Sequence, residues 1–160
     1  MKRGEKNVLF IIAGIVILFM GINAYRQSKE SEHDKEIPFY STADADLRTR
    51  AGAIYKQQDC KACHSLWAVR DMMQFVPAPA LDGIGSLRDE QWLYNYLTAT
   101  NPQSILPSRM KPEYRMPSYS KLDESDRRIL AKYLASLKVK DWYLEETRAA
   151  ECKKLTGEDC

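Results

Sequence analysis

One short run constrains this chain more than any other stretch. Within "QQDCKACHSLW", residues 57–67, Cys60, Cys63 and His64 form a Cys-x-x-Cys-His that uses two of the four cysteines. Three chemistries share that spacing. Structural zinc needs four ligands, usually two Cys pairs or a Cys pair with a His pair. His33 is the only other histidine, and Cys152 and Cys160 stand eight apart, so zinc lacks partners. A thioredoxin-like dithiol would follow a strand in a βαβ unit, and no residues before Cys60 alternate with period 2. The third chemistry is covalent haem. Each thiol adds to one vinyl group, and the following His turns back to bind iron. The expectation is one covalent haem c on Cys60, Cys63 and His64.

The N-terminus carries the second constraint. Residues 8–22, "VLFIIAGIVILFMGI", are 15 apolar residues without a charge, and extending to Tyr25 gives 18. That is near the lower end of what spans a bilayer as a helix. Lys2, Arg3 and Lys6 precede it, so the positive-inside rule keeps the N-terminus cytoplasmic and exports the rest. A cleaved signal peptide is the rival reading, with "INA" ending at Ala24 a poor cleavage site because Ile22 is large. A retained single-pass anchor over residues 1–25, contacting lipid through 8–25, is the expectation.

Residues 26–41 open on "RQSKESEHDKE", too polar to bury a core, and are expected to be a linker. The folded domain is expected over 42–140, with a C-terminal extension over 141–160. Helical spacing marks four segments. Leu47, Ala51, Ile54 and Tyr55 share a face within 44–58. Trp92, Leu93, Tyr96 and Leu97 share one within 89–99, which "NPQ" ends because Pro102 pushes Asn101 out of helical geometry. Ile129, Leu130, Tyr133, Leu134 and Leu137 mark 123–138, with Asp123 as the expected cap. Residues 141–155 are expected to form a short helix capped by Asp141. Two proline-bearing loops, 75–85 and 106–122, lie between. The fold class is all-α, with long loops that need a large apolar group to pack around.

A haem iron held by His64 has one further axial position. His33 lies in the polar linker. Met72 and Met73 follow His64 closely and are expected to pack in the core. Met110 and Met116 remain. Met116 stands before Pro117, which holds it extended and suits a ligand reaching across to iron. Met116 is the expected ligand and Met110 the alternative. Closure by Met gives an electron carrier, whereas an open position binds small ligands.

These residues resemble a class I cytochrome c over about residues 45–138. "GAIYKQQDCKACH" is similar to the family's first helix running into its haem motif. The likeness implies that Gly52 allows close packing on the last helix and that Tyr55 meets Tyr133. "APALDGIG" resembles the loop whose proline carbonyl, here Pro79, accepts a hydrogen bond from the axial His, with Leu81 touching haem. Trp92 is similar to a propionate-contacting tryptophan, and "RMPSY" resembles the Met-ligand loop, with Tyr119 in the haem environment. The sequence departs in two places. Tyr55 lies one residue further from Cys60 than in many members, and Ala78 stands where Gly usually precedes the proline. The longer stretches "IYKQQDCKACHSLWAVR" and "DEQWLYNYLTATNPQSILPSRMKPEYRMPSYSKL" resemble membrane-anchored monohaem subunits of haem–copper terminal oxidases, and the layout is similar to the cytochrome subunit of nitric oxide reductase.

The resemblance implies single-electron transfer, not catalysis, between redox partner proteins of a respiratory complex, with the haem domain in the periplasm on a bacterial inner membrane. A haem with an open or labile sixth site binding a gas is the alternative. Lys61, Arg109, Lys111 and Arg115 are candidate docking charges. A net charge of +2 and the absence of GxGxxG or GxxxxGK give no sign of nucleic acid or nucleotide partners. In an oxidising compartment Cys152 and Cys160 are expected to form a disulfide, with free thiols or bonds to a partner as the alternative.

Overall fold

The computed structural model describes residues 3–30, 37–67, 76 and 78–159. The chain divides into two compact units, Met1–Ile37 and Pro38–Cys160. The expected boundaries shift accordingly: the folded unit begins at Pro38 rather than 42, and the extension beyond 140 belongs to it.

The first unit holds α1, Arg3–Glu30, a helix of 28 residues. Helix therefore continues past Tyr25, because "RQSKE" contains good helix formers; the expected linker is helical up to Glu30. The side chains from Ile11 to Tyr25 are all exposed. Among the described residues no helix is long and apolar enough to cross a membrane. His33 lies outside the described residues, as do Met72 and Met73.

The second unit is mostly helical. α2 (Ala45–Gln57) starts where the Asp44 carboxylate accepts from Leu47 N–H at 2.8 Å. α4 (Glu90–Thr98) starts where Asp89 accepts from Trp92 N–H at 2.7 Å. These caps satisfy amides that a helix start leaves free. Between them lies α3, a single turn over Ile84–Leu87 that begins at the end of the expected loop. α5 covers Glu124–Ser136. Asp123 precedes α5 but makes no side-chain capping bond, contrary to expectation. A 3-10 turn at Asp141–Tyr143 leads into α6, Leu144–Thr156, so Asp141 is not its cap.

α5 is the central element, packed on both α2 and α4. Its Leu130, Ala131, Tyr133 and Leu134 are buried with Ala51, Ile54 and Tyr55 of α2 and Leu93 and Leu97 of α4. Leu137, just past α5, is 1% exposed; burying such a side chain contributes about 2–3 kcal/mol.

The all-α expectation needs one amendment. Phe39–Ser41 (β1) pairs antiparallel with Leu137–Val139 (β2), Phe39 opposite Val139 and Ser41 opposite Leu137. The chain leaves α5 at Leu137 in extended geometry, and the end of the expected linker supplies its partner. No period-2 pattern announces strands of three residues each.

The close-approach glycine is also corrected. Gly52 is exposed, and a Cβ added there meets nothing within 4 Å. Ala51 and Ala131, both 0% exposed, supply the small side chains of the α2–α5 packing instead. The glycine without room is Gly85 on α3. A Cβ there would collide with the Ala135 carbonyl and stand 2.8 Å from Leu134 O.

Candidate functional site

The Cys-x-x-Cys-His run follows α2 through a sharp turn. Asp59 adopts φ 50°, in the left-handed region, which short polar side chains tolerate better than most. A 3-10 turn over Cys60–Ala62 follows, and His64 N–H donates to Cys60 O at 2.9 Å. This local ring brings Cys60, Cys63 and His64 onto the wall of one cavity of about 360 Å³. That volume falls in the usual range for a ligand pocket.

His64 is fixed from two sides. Its Nδ1 lies 2.8 Å from Pro79 O, a bond that sets Nδ1 as the protonated nitrogen. Nε2 then keeps its lone pair for a metal. Burial holds the imidazole below its ordinary pKa, partly offset by the Pro79 carbonyl. The neutral form that ligation requires is thus the favoured one. Behind it, Tyr55 O–H donates to His64 O at 3.3 Å. Tyr55 and Tyr133 both bury in the core.

Leu81 N–H donates to Ser65 O at 3.0 Å, tying the Pro79 loop to the residue after the histidine. Pro79, Leu81 and Ile84 line the cavity from that side. Trp92 and Tyr96 of α4, stacked with centroids 5.2 Å apart, line another part, with Leu93 and Leu97 beneath.

The loop after α4 brings the sulfur. Asn101 Oδ1 accepts from Gln103 N–H and starts a short turn at Pro102–Ser104. That turn aims Gln103, whose Nε2 donates to Met116 O at 3.0 Å. Met116 and Met110 both line the cavity. Arg115 Nε donates to Met110 O at 2.8 Å, closing the loop between them. Tyr119 also lines the cavity. Burial pushes the Cys60 thiol up to about 11 and the Tyr119 phenol up to about 12.

Every cofactor-binding residue expected from the sequence therefore stands on one cavity: Cys60, Cys63, His64, Pro79, Leu81, Trp92, Met116 and Tyr119. Two thiols outside any disulfide, an imidazole with its outer nitrogen engaged, apolar walls and a thioether form a donor set that fits haem c. Among the described residues no three His, Cys, Asp or Glu side chains converge as an ion cage.

Some site residues were not visible in the sequence. Gln103 carried no signal beyond its place after "NP". Glu151, Lys154 and Leu155 of α6 also line the cavity. Arg88 links to them, with its guanidinium 5.0 Å over the Trp92 ring and 3.2 Å from Glu151. Of the four candidate docking charges all are exposed, and Arg109 stands on the cavity rim. Cys160, the expected disulfide partner of Cys152, lies outside the described residues.

A family model described as Cytochrome c matches residues 49–138. No curated protein and no solved structure matches the chain.

Proposed function

The chain belongs to the cytochrome c family, a haem c electron-transfer family, and on that premise we propose that it works as a membrane-anchored carrier closed by His64 and Met116. The observation that carries this reading is the shared cavity. Cys60 and Cys63 stand where the thioethers form, His64 Nε2 is left with its lone pair, and Met116 lines the same space with its carbonyl held by Gln103.

Two strong axial ligands matter for electron transfer. Held by both His64 and Met116, a haem would supply one-electron chemistry with little energy spent rearranging bonds. A thioether on one side favours ferrous iron and raises the potential. The apolar walls would keep water from a bound haem. The protein's share of the work is to hold the ligands, fix the His tautomer and leave an edge of the macrocycle accessible to partners.

The anchor is part of the same reading. Its support is the charge-free run over 8–22 inside the 28 residues of α1. As an ideal helix the 18 residues from Val8 to Tyr25 extend about 27 Å, close to the roughly 30 Å hydrocarbon core. Anchoring would hold the haem beside the donor and acceptor of a respiratory membrane complex. A Cys152–Cys160 disulfide suits that exported location; the mass of the non-reduced chain reports it directly.

Met116→Ala on the haem-loaded protein tests the ligand set. The weak sulfur-to-iron charge-transfer band of the ferric form disappears, the ferrous form binds CO rapidly, and the potential falls. Met110→Ala leaves all three unchanged. An unchanged spectrum in Met116→Ala, with CO already bound by the parent, would favour the open-site reading. Loss of the band in Met110→Ala alone would move the ligand to Met110, which lines the same cavity.

A further inference from the structure

The family match ends at residue 138, yet the haem cavity does not. Three residues of α6, Glu151, Lys154 and Leu155, stand on its wall. The inner face of α6 can be followed residue by residue. Thr147, Glu151 and Leu155 are spaced by four and so share one side of the helix. The Thr147 methyl is 3.5 Å from where a Gly83 Cβ would sit. Glu151 pairs with Arg88 at 3.2 Å, with the two side chains 15% and 24% exposed. At the far end, Gly157 leaves α6 at φ 83° and has the Arg109 guanidinium against it, in the space a Cβ would take. The extension is thus fastened to the α3–α4 junction through Arg88 and to the Met loop through Arg109.

The charges on the cavity sort in a simple way. The anions among the lining residues are Asp59 and Glu151, and the cations are Arg109 and Lys154. Asp59 adjoins Cys60, so it belongs to the edge where the thioethers form. Glu151 is neutralised by Arg88. Arg109 lies against the C-terminus of α6, where a cation meets the negative end of the helix dipole. Lys154 has no ion-pair partner among the described residues, whereas its neighbour Lys153 pairs with Asp159 and is not on the cavity. An apolar macrocycle bearing two carboxylates must bring those carboxylates to the mouth of an apolar cavity, because burying them unpaired is costly. In haem c the carboxylates stand across the ring from the thioethers, which would place them away from Asp59.

We propose that α6 is part of the haem site, and that Lys154 is the cationic partner of a haem carboxylate, held at the rim by the Glu151–Arg88 pair. Lys154 is a positioning and charge-balancing residue. It touches the cofactor's carboxylate and not the iron. Its positive charge offsets the carboxylate and favours the reduced, less positive iron. The exposed rim makes the effect sensitive to ionic strength.

The test is a redox titration of the haem-loaded full chain at low and high salt, with far-UV circular dichroism of each variant. Lys154→Gln lowers the midpoint potential at low salt, Lys154→Glu lowers it further, and both differences shrink at high salt. Lys153→Gln leaves the potential unchanged. The parent's covalent haem absorption establishes separately that haem is carried, so failure there and failure here are distinguishable. Equal potentials for the Lys153 and Lys154 variants overturn the proposal. A shift in Lys154→Gln that is independent of salt, or that comes with lost helix signal, overturns it too, since α6 would then act through packing alone.

Discussion

Gly85→Ala and Gly52→Ala should change stability in opposite directions. Both add one methyl group in a helical turn. At Gly85 the new Cβ stands 2.8 Å from Leu134 O and closer still to the Ala135 carbonyl. Ordinary contact begins near 3.4 Å, so α3 must retreat by more than half an ångström from backbone that cannot rotate aside. Two bonds cross that seam: Lys138 Nζ donates to Gly85 O, and Val139 N–H donates to Ser86 Oγ at 3.0 Å. Losing or stretching each costs about 1 kcal/mol, and overpacking adds at least about 1 kcal/mol. The sum is about 3 kcal/mol. For a unit of this size that corresponds to roughly 10–15 °C in Tm. At Gly52 the added methyl meets nothing within 4 Å. The gain there is the helix propensity of Ala over Gly, about 0.5–1 kcal/mol. Denaturant unfolding of the haem-loaded chain, followed by far-UV circular dichroism and Soret absorbance, reads both. A Gly85→Ala protein within 0.5 kcal/mol of the parent, or a destabilised Gly52→Ala, refutes the assignment of the close contact to α3 and α5.

Two further outcomes follow from the site and the N-terminus. Tyr55→Phe removes the 3.3 Å bond to His64 O and should cost about 1 kcal/mol at neutral pH. Burial raises the Tyr55 pKa above its ordinary 10.0, so the unfolded chain ionises first as pH rises. Parent stability therefore falls above about pH 10 while the phenylalanine variant escapes that loss, and the gap between them narrows; a constant gap across that range contradicts the buried-phenol reading. The proposed anchor should keep the haem chain in the membrane pellet through an alkaline carbonate wash, whereas a chain lacking residues 1–25 should appear in the supernatant. Recovery of the intact chain in the supernatant rules the anchor out.

Much of this protein could be read from its linear order. Cys60, Cys63 and His64 are local chemistry: five contiguous residues make three attachments, and no distant contact is needed to recognise them. The helical segments opening at residues 44 and 89 were legible, and their first residues, Asp44 and Asp89, turn out to cap them, whereas the expected caps Asp123 and Asp141 do not cap α5 and α6. The buried stripe of α5 follows from helical period alone. Met116 stands out because Pro117 restricts it.

What only the tertiary structure decided are contacts between residues far apart in sequence. Gly52 lies inside one helical signal and Gly85 shortly before another, and nothing local says which one meets another backbone; the approach of α3 to α5 decides it. β1 exists because Leu137–Val139 leaves α5 extended and presents an edge to Phe39–Ser41, the central pair Tyr40 and Lys138 being far apart in sequence. α6 has no amphipathic pattern to announce a buried face, since the residues that fasten it are Thr147, Glu151 and Gly157 rather than a stripe of leucines. Its place on the haem cavity depends on one ion pair and one glycine. Those acquire meaning only once the fold brings Arg88 and Arg109 alongside them.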